Sequence, residues 1–83
     1  MPLYLDTHDK IEGLTGEAVA QAHAADLAVQ DRHGVKYLRY WYDEATGKVF
    51  CLAEAPSAEA AIAVHAEAHG LLADSIVEVK EGA

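Results

Sequence analysis

The sequence predicts an α+β domain in which a four-stranded antiparallel sheet carries two helices on one face. Three observations lead there. The chain has 83 residues, enough for one small domain over 1–83. Its apolar runs and turn residues fall in the order strand, helix, strand, strand, helix, strand. Two segments also open alike: Thr15-Gly16-Glu17-Ala18 and Ser57-Ala58-Glu59-Ala60 each set a hydroxyl residue and an early Glu at a helix start.

Leu3 to Thr7 alternates apolar and polar residues and reads as a strand. Gly13-Leu14-Thr15 turns into a helix from Gly16 to about Arg32, closed by Gly34. Val35 to Tyr42 is aromatic and β-branched, a second strand. Asp43-Glu44-Ala45-Thr46-Gly47 reads as a hairpin loop, and Val49 to Ala53 as the returning strand. Pro56-Ser57 opens the second helix, which stops at Gly70, and Ser75 to Lys80 is the last strand. This order is the split βαβ, or ferredoxin-like, βαββαβ sandwich. Strict alternation puts Tyr37, Arg39 and Trp41 on one side of the second strand and Leu38, Tyr40 and Tyr42 on the other. Neither side suits water, so the open sheet face is expected to meet a second copy in a homodimer.

The formal net charge is −8, with only six Lys and Arg scattered along the chain. That disfavours nucleic acid and anionic membranes, which attract clustered basic residues. The single cysteine, Cys51, permits no intrachain disulfide. No apolar run approaches membrane-spanning length, and the N-terminus has no basic-then-apolar signal pattern. The expected compartment is the cytoplasm.

Helical spacing places Val19, Ala22, His23, Asp26, Val29 and Gln30 on one stripe of the first helix. It places Ala58, Ile62, His65, Ala66 and His69 on one stripe of the second. If these stripes face the sheet, His23, Asp26, His65 and His69 are polar groups on buried faces, and each needs a partner. His65 and His69 have the four-residue spacing that lets two imidazoles converge on one ion. Cys51 adds a thiolate if it points toward the helices; if Phe50 and Leu52 take the core instead, it faces the other side of the sheet. Imidazole, carboxylate and thiolate together suit nickel, zinc, copper or cobalt better than calcium or magnesium. The competing reading is a metal-free network in which Asp26 bonds His23 or His65 and His69 favours the helix C-terminus. His65-Ala-Glu67-Ala-His69 lacks the Glu directly after the first His that a zincin motif requires. His8 and His33 read as loop or edge residues with no assigned role.

Gly34 to Trp41, the run Val49-Phe50-Cys51-Leu52-Ala53-Glu54-Ala55-Pro56-Ser57, and His65-Ala66-Glu67-Ala68-His69-Gly70 together resemble a family of actinobacterial proteins. These are small nickel-binding proteins of ferredoxin-like fold, most of them classed as a domain of unknown function. The resemblance covers nearly the whole chain and implies a homodimer of ferredoxin-like subunits with a nickel-binding role. The ligand set His65, His69, His23, Asp26 and Cys51 comes from spacing alone.

The leading expectation is thus a nickel-binding protein serving metal storage, buffering or resistance. A second is a small cofactor-free enzyme of the dimeric ferredoxin-like barrel type, with a His/Asp acid–base pair. A third is a structural module whose histidines are satisfied core groups.

Overall fold

The computed structural model describes residues 1–83. The elements are β1 (Leu3–His8), α1 (Gly16–Val29), β2 (Lys36–Asp43), β3 (Lys48–Glu54), α2 (Ala58–Ala68) and β4 (Ser75–Val79). The sheet order is β2-β3-β1-β4, every pair antiparallel. This is the ferredoxin-like arrangement, with β1 and β3 at the centre and β2 and β4 on the edges. No helix is long and apolar enough to cross a membrane.

Both helix starts follow the sequence pattern. Ala18 N–H donates to Thr15 Oγ1 at 3.1 Å, and Ala60 N–H donates to Ser57 Oγ at 3.2 Å. Each cap satisfies an otherwise orphaned amide and contributes about 1 kcal/mol. The first helix is shorter than its periodicity suggests. The α geometry ends at Val29, and Gln30–His33 form a tighter 3-10 turn. Gly34, at φ 69°, then reverses the chain, a conformation that side chains with a Cβ resist. The 3-10 turn is tied to α2: Arg32 Nη1 donates to Glu67 Oε1 at 3.1 Å, and His33 Nε2 lies 3.4 Å from Glu67 Oε2. Glu67 therefore points away from His65 and His69.

Two details depart from strict periodicity. A bulge between Tyr37 and Arg39 shifts the β2 register by one residue. Tyr37 pairs across from Ala53, Tyr40 from Cys51 and Tyr42 from Val49, so these three tyrosines share the helix-facing side. Arg39 and Trp41 pair with Leu52 and Phe50 on the opposite face. The expected grouping of Tyr37 with Arg39 and Trp41 is thus corrected by the extra residue. On α2 the buried residues are Ala61, Val64 and His65, while Ile62 is exposed. The expected stripe through Ile62 is rotated toward Ala61, whose carbonyl accepts a hydrogen bond from the Tyr37 hydroxyl of the sheet.

Of the 14 buried residues, four are Asp or His: Asp6, His8, Asp26 and His65. The apolar core is mostly Ala and Val. With so little apolar volume, the pairing of these four groups weighs heavily on stability.

Candidate metal centre

The centre is assembled from the two central strands and both helices. Period-two alternation on β1 points Tyr4, Asp6 and His8 toward the helices, with Asp6 and His8 buried. On β3 the same alternation buries Val49, Cys51 and Ala53 and turns Phe50 and Leu52 to the helix-free face. Cys51 therefore points toward the helices, across from Asp6 on β1. The helices supply Asp26 from the last turn of α1, and His65 and His69 from the end of α2.

His65 is the hub. Its Nδ1 lies 3.0 Å from Asp26 Oδ1, and its Nε2 lies 3.0 Å from Asp6 Oδ2. All three side chains are about 2–3 % exposed. The Tyr37 hydroxyl sits 3.1 Å from His65 Nε2 and 3.2 Å from both Asp6 Oδ2 and the Ala61 carbonyl. His69 stands beside His65, ring centroids 4.9 Å apart, with its Nε2 3.0 Å from the same Asp26 Oδ1. Leu71 N–H donates to His69 Nδ1 at 3.1 Å. That bond occupies the Nδ1 lone pair and leaves Nε2–H to donate to Asp26. His8 Nε2 lies 3.5 Å from Asp6 Oδ1, within ion-pair range. It is too distant to satisfy that oxygen, which is buried without any hydrogen-bond donor.

These contacts set the charges. Burial pushes the Asp6 carboxyl up, but the His65 and His8 imidazoles outweigh it and hold its pKa at about 2. Burial likewise opposes the charged form of His65, and Asp26 and Asp6 reverse that, raising it to about 11. His8 is raised to about 9 in spite of burial, chiefly by Asp6 and then by Cys51. Asp26 is lowered by His65 and His69 against its burial. Tyr37 is pushed upward by burial and by the neighbouring carboxylates, so it remains a neutral phenol. Near neutral pH the metal-free centre thus holds two carboxylates against two imidazolium groups.

Two groups have donor atoms close enough to hold an ion, all within 4.8 Å of one another. One is Asp6, His8, Cys51 and His65; the other is Asp26, His65 and His69. The first contains the unsatisfied Asp6 oxygen. An ion there would displace the imidazole and thiol protons, and the Asp6 carboxylate and Cys51 thiolate would then neutralise a divalent cation alongside two neutral imidazoles. The second offers one carboxylate, and its histidines are already engaged with Asp26 and Leu71. An ion there would carry a residual buried charge, which is costly.

Of the residues that spacing singled out, Asp26, His65, His69 and Cys51 come together at this centre. His23 stands apart: it belongs to neither group, and its ring packs against Tyr40 with centroids 4.7 Å apart. Asp6 and His8 were not expected. The strand continues one residue beyond Thr7, because His8 pairs with Val49 of β3. The signal was present in the sequence, since Tyr4, Asp6 and His8 sustain the two-residue period.

Comparison with known proteins agrees with this architecture. The crystal structure of SCO4226 from Streptomyces coelicolor A3(2) superposes with a TM-score of 0.89 at 43% sequence identity, covering 98% of this chain and 99% of that one. No protein of curated function matches the chain. The nickel responsive protein SCO4226-like family matches residues 4–79. Covering nearly the whole of the sheet and both helices, that match makes the chain a member of the SCO4226-like nickel-responsive protein family.

Proposed function

We propose that this protein binds a nickel ion in its interior and holds it for storage, buffering or resistance. The ligands in this reading are Asp6, His8, Cys51 and His65, with Asp26 and His69 orienting them. The observation that carries it is the buried Asp6 carboxylate, whose Oδ1 accepts no hydrogen bond and has only the long 3.5 Å contact to His8, beside two imidazoles and a thiol. A cation supplies what that oxygen lacks. A set of two nitrogens, one sulfur and one oxygen suits a borderline divalent ion, nickel, zinc, copper or cobalt. Membership of a nickel-responsive family favours nickel. Asp26 accepts the Nδ1 proton of His65 and so turns the Nε2 lone pair toward the ion, the usual support for a ligating imidazole.

The protein acts as a homodimer in this reading. The face of the sheet away from the helices carries Trp41, Phe50, Leu52, Leu5 and Val77, with Trp41 48% and Val77 55% exposed. A second copy placed there removes apolar surface from water.

The test is elemental analysis and nickel calorimetry on chelator-treated, tag-free protein. Stoichiometric binding that weakens in Cys51→Ser and in His8→Ala is the expected result. Equal binding in both variants would move the ion elsewhere. Absence of binding in the parent would leave the centre as a structural network.

A further inference from the structure

The metal centre does not fill the space beside it. A pocket of about 60 Å³, partly open to solvent, is lined by α1, the sheet and the end of α2. Leu14, Ala22 and Val49 line it, together with His8, Cys51 and His65. Three of the four donors of the Asp6 group therefore border it, and an ion held by them presents a side to this space. Asp26 and His69 border it as well, so the same holds for an ion in the second group.

The size limits what enters. An apolar cavity of about 150 Å³ takes benzene, so about 60 Å³ holds roughly two or three non-hydrogen atoms. The chemistry limits it further. The wall is largely apolar, and Asp26, His65 and His69 already bond one another. A cluster of waters would find few free partners there, and a buried water needs two to four. Charge sets the last limit. Asp6 and a Cys51 thiolate would balance a divalent ion, so every negative charge on a ligand is in excess; the pocket's opening to solvent lets water screen one such charge, while a multiply charged anion is disfavoured.

We propose, building on the nickel reading above, that this cavity seats a small exogenous ligand of the bound ion. The class is a diatomic or linear triatomic donor, neutral or singly negative, that binds the ion from the α1 side. Ala22 then acts as a size filter, because its methyl group faces the space a ligand would occupy.

Azide tests this on the nickel-loaded protein, followed by absorption spectroscopy and calorimetry. The expected result is a new charge-transfer band that saturates at equimolar azide and nickel, with nickel retained through dialysis. Ala22→Val narrows the cavity without touching a donor. It should bind nickel as the parent does and weaken azide by about tenfold or more, the scale of an overpacked site. Ala18→Leu, at the rim of the same cavity, gives the same readout should the Val variant fold poorly. Nickel-loaded protein that ignores azide overturns the proposal, as does an unchanged azide response in both filled variants or nickel lost to azide in solution. Failure to take up nickel at all overturns the metal reading and this proposal together. Uptake without an azide response overturns only this one.

Discussion

Asp26 on α1 and His65 on α2 meet at 3.0 Å through Oδ1 and Nδ1, and both side chains are almost wholly buried. This contact joins the two helices across the interior. The second nitrogen of the same ring reaches Asp6 on β1. One imidazole therefore links both layers of the sandwich, and its loss leaves two carboxylates buried without their main partner.

His65→Ala is expected to destabilise the metal-free protein by about 3–5 kcal/mol, the scale of breaking a buried ion pair. Small domains have only about 5–15 kcal/mol in total, so the variant should be close to unfolded. Urea denaturation followed by circular dichroism measures it. A loss under about 1 kcal/mol would mean that His65 does not neutralise the two carboxylates.

Tyr37→Phe removes the hydroxyl that contacts Asp6, His65 and the Ala61 carbonyl. A cost of about 1–3 kcal/mol is expected, because the ring still fills its space while buried polar groups lose a partner. Nickel stoichiometry should stay the same, since the phenol is not among the donors. A variant as stable as the parent would show that the hydroxyl is dispensable.

Stability of the metal-free protein should peak in mildly acidic solution. His8 and His65 have folded pKa values of about 9 and 11, above the ordinary 6.5. Their contribution is complete below about 6.5, and it declines as pH rises toward 9 for His8 and 11 for His65. Asp6 is lowered from 3.8 to about 2. Its contribution is complete above about 4 and is lost as pH falls toward 2. Asp26, lowered in the same direction, acts alike. The urea midpoint should therefore be highest between about pH 4 and 6.5 and fall steadily through pH 9. A midpoint that rises between pH 7 and 9 would contradict the charge assignment.

Nickel should raise the melting temperature. Free ion at a hundredfold its dissociation constant adds about 2.7 kcal/mol. For a domain of this size that corresponds to a rise of about 10 °C or more. A chelator should reverse it, and lower pH should weaken it, since bound imidazole and thiolate must be deprotonated. Differential scanning calorimetry with and without chelator reads both effects; an unchanged transition would count against an interior ion.

Trp41→Glu places a charge on the helix-free face, on edge strand β2 across from Phe50. The parent is expected to sediment as a dimer and the variant as a monomer. Metal binding should survive, because the centre lies on the other side of the sheet. A parent that sediments as a monomer at all concentrations would remove the dimer from the functional reading.

Local chemistry determined the order of the elements. Thr15 and Ser57 mark helix starts because a side-chain oxygen there replaces a missing backbone partner, and Gly34 and Gly47 mark turns through their positive φ of 69° and 81°. Six such elements admit few compact arrangements, so the ferredoxin-like sandwich was legible without coordinates. Asp26 and His65 were legible as buried polar groups, and His69 as a half-buried neighbour, for the same reason, since helical spacing is a short-range property.

Tertiary structure decided the rest. The direction of Cys51 depended on whether Val49 and Ala53 or Phe50 and Leu52 took the core, and both sets are apolar. Packing against α1 and α2 selected the smaller set. The bulge after Tyr37 is a matter of register between two strands, and it brought the Tyr37 hydroxyl inward to His65. Asp6 and His8 were hidden because a polar residue in a short strand ordinarily faces water. Only the partners waiting on other elements, His65 above Asp6 and Cys51 beside both, make their burial favourable.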